Sequence, residues 1–490
     1  MERKAGILLP VFSLPSNYGI GTFGEEAYKF VDFLKEAGQS YWQILPLGQT
    51  SYGDSPYQSY SSFAGNPYFI DLDLLVKDEL LDKKDLKDIK VNNPKYVDYA
   101  DLYNTRFTIL RKAYKNGVDK YMDDFNEFRG AMSSWLHDFA LYMAIKHYFN
   151  DKCWQDWEDD IRFRKPDAIY KYEILLKEDI EFYEFVQYLF YKQYLKLKEY
   201  ANSNGIKIIG DIPIYVSLDS SDIWMAPENF QLDENFKPRD VAGVPPDYFT
   251  EDGQLWGNPL YDYDYQERNG FEWWINRING SSMMYDIIRI DHFRGFESYW
   301  SVPFGEKTAR NGKWVKGPNM RLLNRIKERC QVQFIAEDLG YHTPEVQQML
   351  DDFGYPGMKV LEFGFDGAVN DHAPLYYVRN CICYVGTHDN DTIMGFKKNG
   401  LKESVKRATK YLGVKDDRDF NWAFIRAGMS SVADTFVAQI QDYLGLDDSA
   451  RINTPGLVGN NWKWRLEKGQ LSKDLAKKIK EYTCLYGRGE

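Results

Sequence analysis

The sequence predicts an α/β protein, a (β/α)₈ TIM barrel of parallel strands that carries large inserted subdomains. Short apolar runs recur along the chain, and several of them end directly in acidic or histidine side chains. Such runs are typical of strands that are buried on both faces of a parallel sheet. In a barrel, the carboxyl ends of these strands form the rim where catalytic groups lie. The length of 490 residues fits one catalytic barrel, residues 1–490, with insertions.

The composition argues against several kinds of binding partner. The net charge is −12 and the sequence has no long run of lysine or arginine, so nucleic acid is disfavoured as a partner. Because the sequence shows neither an apolar run of about 18 residues nor a signal peptide, we expect a soluble, cytoplasmic protein with no membrane partner. Of five cysteines, only Cys381 and Cys383 lie close together, and no second pair accompanies them. The sequence therefore predicts no metal site.

The first elements follow the strand–helix–strand order of a parallel sheet. The apolar run Ala5–Pro10 predicts the first strand, and Tyr41–Leu47 predicts the second. Between them, apolar residues recur at helical spacing over Ala27–Leu34, and Gly38 is placed to end the helix. The G-x-G-x-x-G pattern at Gly19–Gly24 does not directly follow a strand, so a loop is favoured over a dinucleotide site.

Two long segments interrupt the barrel pattern. Residues 74–204 predict a mostly helical insertion after the second strand. Residues 217–270 predict a loop-rich insertion, and a long segment with little regular structure is typical of a lid or binding loop. The loop Gly53–Asp73 interleaves hydroxyl and aromatic side chains, which would suit a carbohydrate, although such residues also form ordinary turns.

The remaining strands bring the total to about eight. A third strand is predicted at Lys207–Ile214, between the two insertions. Later apolar runs predict strands at Ile287–Ile290, Gln333–Gly340, Met358–Phe363 and from Cys381, and we place the last strand near Arg451–Asn453.

Three predicted strand ends carry an acid, and in one barrel they would meet at the same rim. These acids are Asp291, Glu337 and Asp389. Two carboxyl groups on either side of a glycosidic bond, one ionised and one protonated, are the apparatus of retaining glycoside cleavage. Asp291 is the better nucleophile, because Arg289 lies two residues earlier on the same strand face and would keep it ionised. Glu337 could act as the acid if burial or negative surroundings raise its pKa.

The spacing leaves several choices open. Asp338 directly follows Glu337 and could compete with it, and Asp391 lies on the same face as Asp389. His292 and His388 could cap loops instead of binding a sugar. The sequence has no G-x-S-x-G, H-E-x-x-H or P-loop motif, and these absences remove the main competing enzyme classes.

Six stretches of the chain together resemble the amylomaltases, the 4-alpha-glucanotransferases or disproportionating enzymes of the alpha-amylase clan. In chain order they are GDSPYQSYSSFAGNPYFIDL, GDIPIYV, GVPPDYF with GQLWGNP, RIDHFRGF, AEDLG and GTHDN. They run in the order of the family and cover the chain from Asp54 to about Trp464. The resemblance implies a (β/α)₈ barrel with insertions and no carbohydrate-binding module.

The resemblance also implies roles for individual residues. It makes Asp291 the nucleophile, Glu337 the acid/base and Asp389 the group that stabilises the transition state. The segment that holds Asp247, Gln254 and Trp256 resembles the active-site lid of the family. The full set of implied substrate-binding residues is Tyr57, Ser55, Asp211, Asp247, Gln254, Trp256, Arg289, His292, Phe363, His388 and Asn453.

The implied reaction is disproportionation of alpha-1,4-glucans without a cofactor or a metal. Expected substrates are maltooligosaccharides and glucans derived from starch or glycogen, with glucose as an acceptor. One rival is a hydrolase of the same clan, and another is a glucan-binding protein on a barrel without activity. The two enzymes would differ in their products from excess glucan, redistributed chain lengths for the transferase and rising reducing ends for the hydrolase.

Overall fold

The strands of the computed structural model form two sheets. The structure describes residues 3–246, 250–340, 342–367, 370–457 and 459–489. In chain order the strands are β1 (Lys4–Leu8), β2 (Tyr41–Gln43), β3 (Lys207–Ile212), β4 (Asp240–Val244), β5 (Gln254–Pro259), β6 (Ile287–Ile290), β7 (Ser298–Pro303), β8 (Lys313–Lys316), β9 (Gln333–Ala336), β10 (Gly357–Val360), β11 (Cys381–Tyr384) and β12 (Thr435–Gln439).

Eight of these strands form a parallel sheet that is nearly closed into a barrel. The order around the sheet is β1, β2, β3, β6, β9, β10, β11 and β12, and β12 pairs with β1. At the remaining gap, the amide of Ala336 at the end of β9 donates a hydrogen bond of 2.9 Å to the carbonyl of Pro356, just before β10. In the described residues, α-helices follow seven of the eight strands and short 3-10 helices follow β10, so the predicted (β/α)₈ fold is confirmed.

The helices are listed here in chain order. They are α1 (Glu25–Glu36), α2 (Leu72–Lys77), α3 (Tyr99–Gly117), α4 (Met122–Ala131), α5 (Leu136–Tyr148), α6 (Asp159–Arg162), α7 (Pro166–Leu175), α8 (Lys177–Ser203), α9 (Ser221–Met225), α10 (Tyr263–Arg268), α11 (Glu272–Met284), α12 (Met320–Arg329), α13 (Pro344–Phe353), α14 (Ile393–Asn399), α15 (Lys402–Tyr411), α16 (Phe420–Ser430), α17 (Ile440–Leu444) and α18 (Lys473–Leu485). In the described residues, no helix is long and apolar enough to cross a membrane.

Burial and two glycines fit the sequence to the observed strands and to the first helix. All four residues of β6 are buried, as expected for a strand covered on both faces. On β3, Gly210 leaves room for the ring of Tyr285, because a Cβ at this position would lie 2.0 Å from the Cγ of that ring. Gly38 follows α1 in the left-handed conformation, with φ 66°, which favours glycine after a helix.

The predicted last strand near Arg451–Asn453 is wrong. The eighth barrel strand is β12, which pairs with β1 and β11. Its sequence TFVAQ has polar residues at both ends, so its apolar run is only three residues long and is too short to stand out. Residues 451–453 have no regular structure, and Arg451 and Asn453 contact Asp389 instead.

A second sheet lies outside the barrel and is antiparallel, in the order β5, β4, β7 and β8. Two of its strands belong to residues 217–270, which were interpreted from the sequence as a segment with little regular structure. The sequence interpretation missed these strands because β5 contains Gly257 and ends at Pro259, two residues that disfavour a strand. Because β4 pairs with β7, this segment is tied to the chain that follows β6.

Helices α2 to α8 lie between β2 and β3 in the chain. A largely buried ion pair ties α5 to the loop after β3. The Lys146 side chain is 2% exposed, and its Nζ lies 2.6 Å from an oxygen of Asp219. The Tyr142 hydroxyl donates to the other oxygen of this carboxylate at 2.6 Å. The Lys146 ammonium also lies 5.0 Å from the ring centre of Tyr60, in the loop after β2. One lysine therefore fixes two rim loops against the helices.

We expect Lys146→Met to lower the free energy of unfolding by about 3 kcal/mol, because it leaves the largely buried Asp219 charge without its partner. Lys120→Met is the matched control. It removes an exposed pair with Glu79, and we expect no measurable change in the free energy of unfolding. Urea unfolding of the two variants measures both values. Equal losses would contradict the role given to Lys146.

Candidate active site

The three predicted acids lie at the carboxyl ends of barrel strands. Asp291 directly follows β6, Glu337 directly follows β9, and Asp389 lies in the loop after β11. Main-chain hydrogen bonds join the first two ends. The Glu337 amide donates to the carbonyl of Ile290 at 3.0 Å, and the Phe293 amide donates to the carbonyl of Glu337 at 2.9 Å. The neighbouring strands thus hold the backbones of these two acids in a fixed relation.

A buried arginine organises the acids around it. Arg289 lies on β6 and its side chain is 3% exposed. Its Nη1 donates to Oδ2 of Asp211 at 2.6 Å and to Oδ1 of Asp291 at 3.0 Å. Its Nε donates to the sulfur of Met358 at 3.4 Å. Contact with the guanidinium favours the ionised form of Asp291.

Tyr57 extends this network toward the loop after β11. Its hydroxyl donates to Oδ2 of Asp211 at 2.9 Å and lies 2.9 Å from Nε2 of His388. The two rings are stacked, with their centres 5.3 Å apart. Burial lowers the pKa of His388, so this histidine is neutral at physiological pH and can share a hydrogen bond with the tyrosine.

Asp389 is held at the rim by three neighbours. Asn453 Nδ2 donates to its Oδ1 at 2.6 Å, and Nε2 of His388 lies 3.3 Å from its Oδ2. Arg451 Nη2 donates to its main-chain carbonyl at 2.7 Å. Asp391, the alternative that spacing left open, accepts instead from the amide of Thr392 directly before α14.

Main-chain amides hold the carboxylate of Glu337. The amide of His292 donates to its Oε2 at 2.7 Å, and the amide of Leu339 donates to its Oε1 at 2.9 Å. Asp338 has a different environment, because its Oδ1 accepts from the amide of Met358 on β10 at 2.7 Å. Its carboxylate therefore braces a strand, whereas Glu337 belongs to the rim.

His292 lies beside the indole of Trp256 and has an uncommon backbone conformation. His292 has a φ of 53°, in the left-handed region that non-glycine residues rarely adopt. Its ring meets the Trp256 ring edge to face, with centres 4.8 Å apart. Burial lowers the pKa of His292 to about 3, so the ring is neutral. The Trp256 indole N–H donates to the side-chain oxygen of Gln254 at 3.1 Å.

The two central acids differ in what acts on their pKa besides burial. Burial raises the pKa of Glu337 to about 8, and the negative charge of Asp291 contributes further to this increase. Burial also raises the pKa of Asp291, to about 7, but contact with Arg289 opposes the increase. The guanidinium therefore favours an ionised Asp291, whose charge favours the protonated form of Glu337.

The other predicted substrate-binding residues lie on several loops. Ser55 Oγ accepts from the amide of Tyr57 at 3.2 Å. Phe363 lies in the turn after β10, with its ring 5.6 Å from that of His372. Asp247 lies outside the described residues. No cluster of metal-ligating side chains occurs in the part of the chain that the structure describes.

Two contacts of the site were missed in the sequence. Met358 was counted only as the start of a strand, and its sulfur contact with Arg289 depends on a long-range approach. Arg451 was assigned to a strand, whereas its guanidinium holds the loop of Asp389. A charged arginine two residues before Asn453 was the one available signal that this stretch is not a buried strand.

A parallel barrel whose rim places an arginine-bound aspartate beside a proton-holding glutamate defines an enzyme that cleaves or transfers glycosidic bonds. Residues 9–472 match the family model described as 4-alpha-glucanotransferase. The chain therefore belongs to the 4-alpha-glucanotransferase family, and 4-alpha-glucanotransferase is its activity. The resemblance inferred from the sequence motifs is confirmed.

Similar proteins extend over the whole chain. A 4-alpha-glucanotransferase of Clostridium butyricum is 51% identical over 485 residues, which cover 98% of this chain and 100% of the relative. A Streptococcus pneumoniae 4-alpha-glucanotransferase is 45% identical, with coverages of 99% and 98%. The structure of the Streptococcus agalactiae amylomaltase in complex with acarbose has a TM-score of 0.97 and 43% identity, and the match covers 100% of both chains.

We expect Asp389→Asn to lower kcat on maltotriose by at least about a hundredfold, because it removes a negative charge that Asn453 and His388 hold at the rim. Asp391→Asn is the matched control, since that carboxylate lies only two residues away but contacts the start of α14. For this control we expect a change of at most about threefold. Similar losses in both variants would contradict the assignment of Asp389 to the active site.

Proposed function

We propose that this 4-alpha-glucanotransferase works by a retaining double displacement in which Asp291 is the nucleophile and Glu337 the acid/base. The contact of Arg289 with Asp291 carries the proposal, because it gives two adjacent carboxyl groups different proton affinities. The proposal selects Glu337 over Asp338 and Asp389 over Asp391, in agreement with what each side chain contacts.

In the first step, the carboxylate of Asp291 attacks the anomeric carbon of the donor glucan. Glu337 gives its proton to the bridging oxygen, so the leaving sugar departs as a neutral alcohol. A covalent glycosyl-enzyme remains on Asp291. Since the leaving group takes the proton, Glu337 is left ionised.

In the second step, Glu337 removes the proton from the 4-hydroxyl of an acceptor glucan. The acceptor oxygen then attacks the anomeric carbon and releases Asp291. Transfer requires that an acceptor outcompetes water at this stage, which is achieved by orientation and by exclusion of water. We assign the exclusion of water to a lid that contains Asp247, Gln254 and Trp256. The indole of Trp256 packs against His292.

Side chains around the acids bind the sugar in this proposal. Asp389 holds sugar hydroxyls through charge-assisted hydrogen bonds, and Asn453 and His388 orient it. The Tyr57 ring supplies an apolar face together with a hydroxyl. The remaining substrate-binding assignments are Ser55, Asp211, Arg289, His292 and Phe363.

The proposed substrates are maltooligosaccharides and alpha-1,4-glucans derived from starch or glycogen, with glucose as an acceptor. Support comes from the family and from the acarbose complex of the Streptococcus agalactiae amylomaltase. Action without cofactor, metal, nucleic acid or membrane, and a cytoplasmic location, remain predictions. The division into a helical insertion at 74–204 and a lid-bearing insertion at 217–270 also remains a prediction.

Incubation with maltotriose tests the mechanism. We expect glucose and longer maltooligosaccharides to appear at a constant number of reducing ends, and Asp291→Asn to lower this rate by at least about ten-thousandfold. A covalent intermediate should be detectable by mass spectrometry in wild type with a fluorinated donor, and it should be absent in Asp291→Asn. Rising reducing ends with only shorter products would show hydrolysis instead.

The pH profile tests the two acid roles. Activity requires ionised Asp291, so kcat/KM should rise with pH through about 7. Activity also requires protonated Glu337, so kcat/KM should fall as pH passes about 8. Initial rates of glucose release from maltotriose give the profile, and unfolding temperatures over the same pH range provide the control. A profile that stays level through both values would contradict the assignment.

A further inference from the structure

A cavity of about 40 Å³ adjoins the side of the active site that Tyr57 and Asp211 form. Helix α11 supplies another part of its wall through Arg277 and Ser281, and Tyr285 follows directly after this helix. Among the described residues, the lining does not include the three rim acids. The cavity therefore borders the catalytic network and shares Tyr57 and Asp211 with it.

Two buried polar atoms of the cavity wall make no hydrogen bond to any group in the described ranges. They are Oδ1 of Asp211 and Oγ of Ser281, and these residues are 0% and 1% exposed. A third polar group is the hydroxyl of Tyr285, which accepts from the amide of Leu47 at 3.3 Å and keeps its own proton to donate. The wall thus offers one acceptor, one donor and one hydroxyl that can do both.

Buried polar atoms are nearly always hydrogen-bonded to protein or to ordered water, because an unpaired one carries an energetic penalty. A water molecule needs about 10–15 Å³ of such space and two to four polar partners, so this cavity has room for about three. We propose that the cavity is an internal water site whose waters bridge Asp211, Ser281 and Tyr285, and that these waters position the catalytic network.

The consequence for catalysis follows from the other oxygen of Asp211. Oδ2 accepts from both Tyr57 and Arg289, so its position decides where the guanidinium lies. A water on Oδ1 holds the second oxygen and prevents rotation of the carboxylate. Arg289 then stays in contact with Asp291. The effect of this contact on catalysis rests on the proposed role of Asp291 as nucleophile.

A second crevice, of about 150 Å³, adjoins this cavity, because Ser61 and Asp222 line both spaces. The crevice lies between α11 and the residues that precede α5, where Asn276 and Ser134 are exposed.

Two valine substitutions on α11 test the positioning role. In Ser281→Val, the added methyl groups displace the waters and leave Asp211 Oδ1 unpaired, so kcat should fall about tenfold with KM within about twofold of wild type. Ser282→Val is the control, because it places the same side chain on the next residue, outside the cavity lining. Ser281→Ala keeps room for water and should retain at least about half of the wild-type kcat.

A crystal structure of the wild-type enzyme at a resolution that shows ordered water gives a readout independent of activity. We expect water within hydrogen-bond distance of Asp211 Oδ1 and Ser281 Oγ. A cavity without water density, or equal kcat values for Ser281→Val and Ser282→Val, would overturn the proposal. If Ser281→Val fails to fold, a tenfold loss in Ser281→Ala would equally overturn it. Activity in Asp291→Asn would refute the proposed mechanism but not the water site, since the water density does not depend on the role of Asp291.

Discussion

The buried guanidinium of Arg289 is the constraint on which the active site depends. A charge inside a barrel is unfavourable unless opposite charges and hydrogen bonds compensate it. Asp211 and Asp291 provide both, and the sheet register places them, because Asp211 on β3 is the direct cross-strand partner of Arg289 on β6. Moving either strand by one residue would turn these side chains to opposite faces and leave the cation alone.

In the proposed mechanism, the same cation gives the two carboxyl groups different roles. Asp291 contacts it, whereas Glu337 is bound by main-chain amides, and burial raises the pKa of both groups. Ionised Asp291 then favours the protonated form of its neighbour. Under this proposal, environment alone gives two similar side chains the roles of ionised nucleophile and protonated acid.

The walls of the site come from segments that are distant in sequence. Trp256 lies on β5 in the antiparallel sheet, and pairing of β4 with β7 ties that sheet to the chain after β6. His292 belongs to that chain, so the pairing brings it into contact with the indole. On another side, Lys146 of α5 holds the loops after β2 and β3. The rim loops are therefore supported from two directions.

The sequence by itself determined the barrel, seven of its strands and the three acids, because apolar runs and the polar residues that end them are local patterns. The spacing of these acids could not choose between Glu337 and Asp338 or between Asp389 and Asp391, and the resemblance of the motifs supplied that choice. The sequence interpretation also misplaced the eighth strand, whose apolar run is short. Only the tertiary structure shows what these carboxylates contact and where the eighth strand lies, because contacts such as that of Met358 with Arg289 form only when distant strands come together in the barrel.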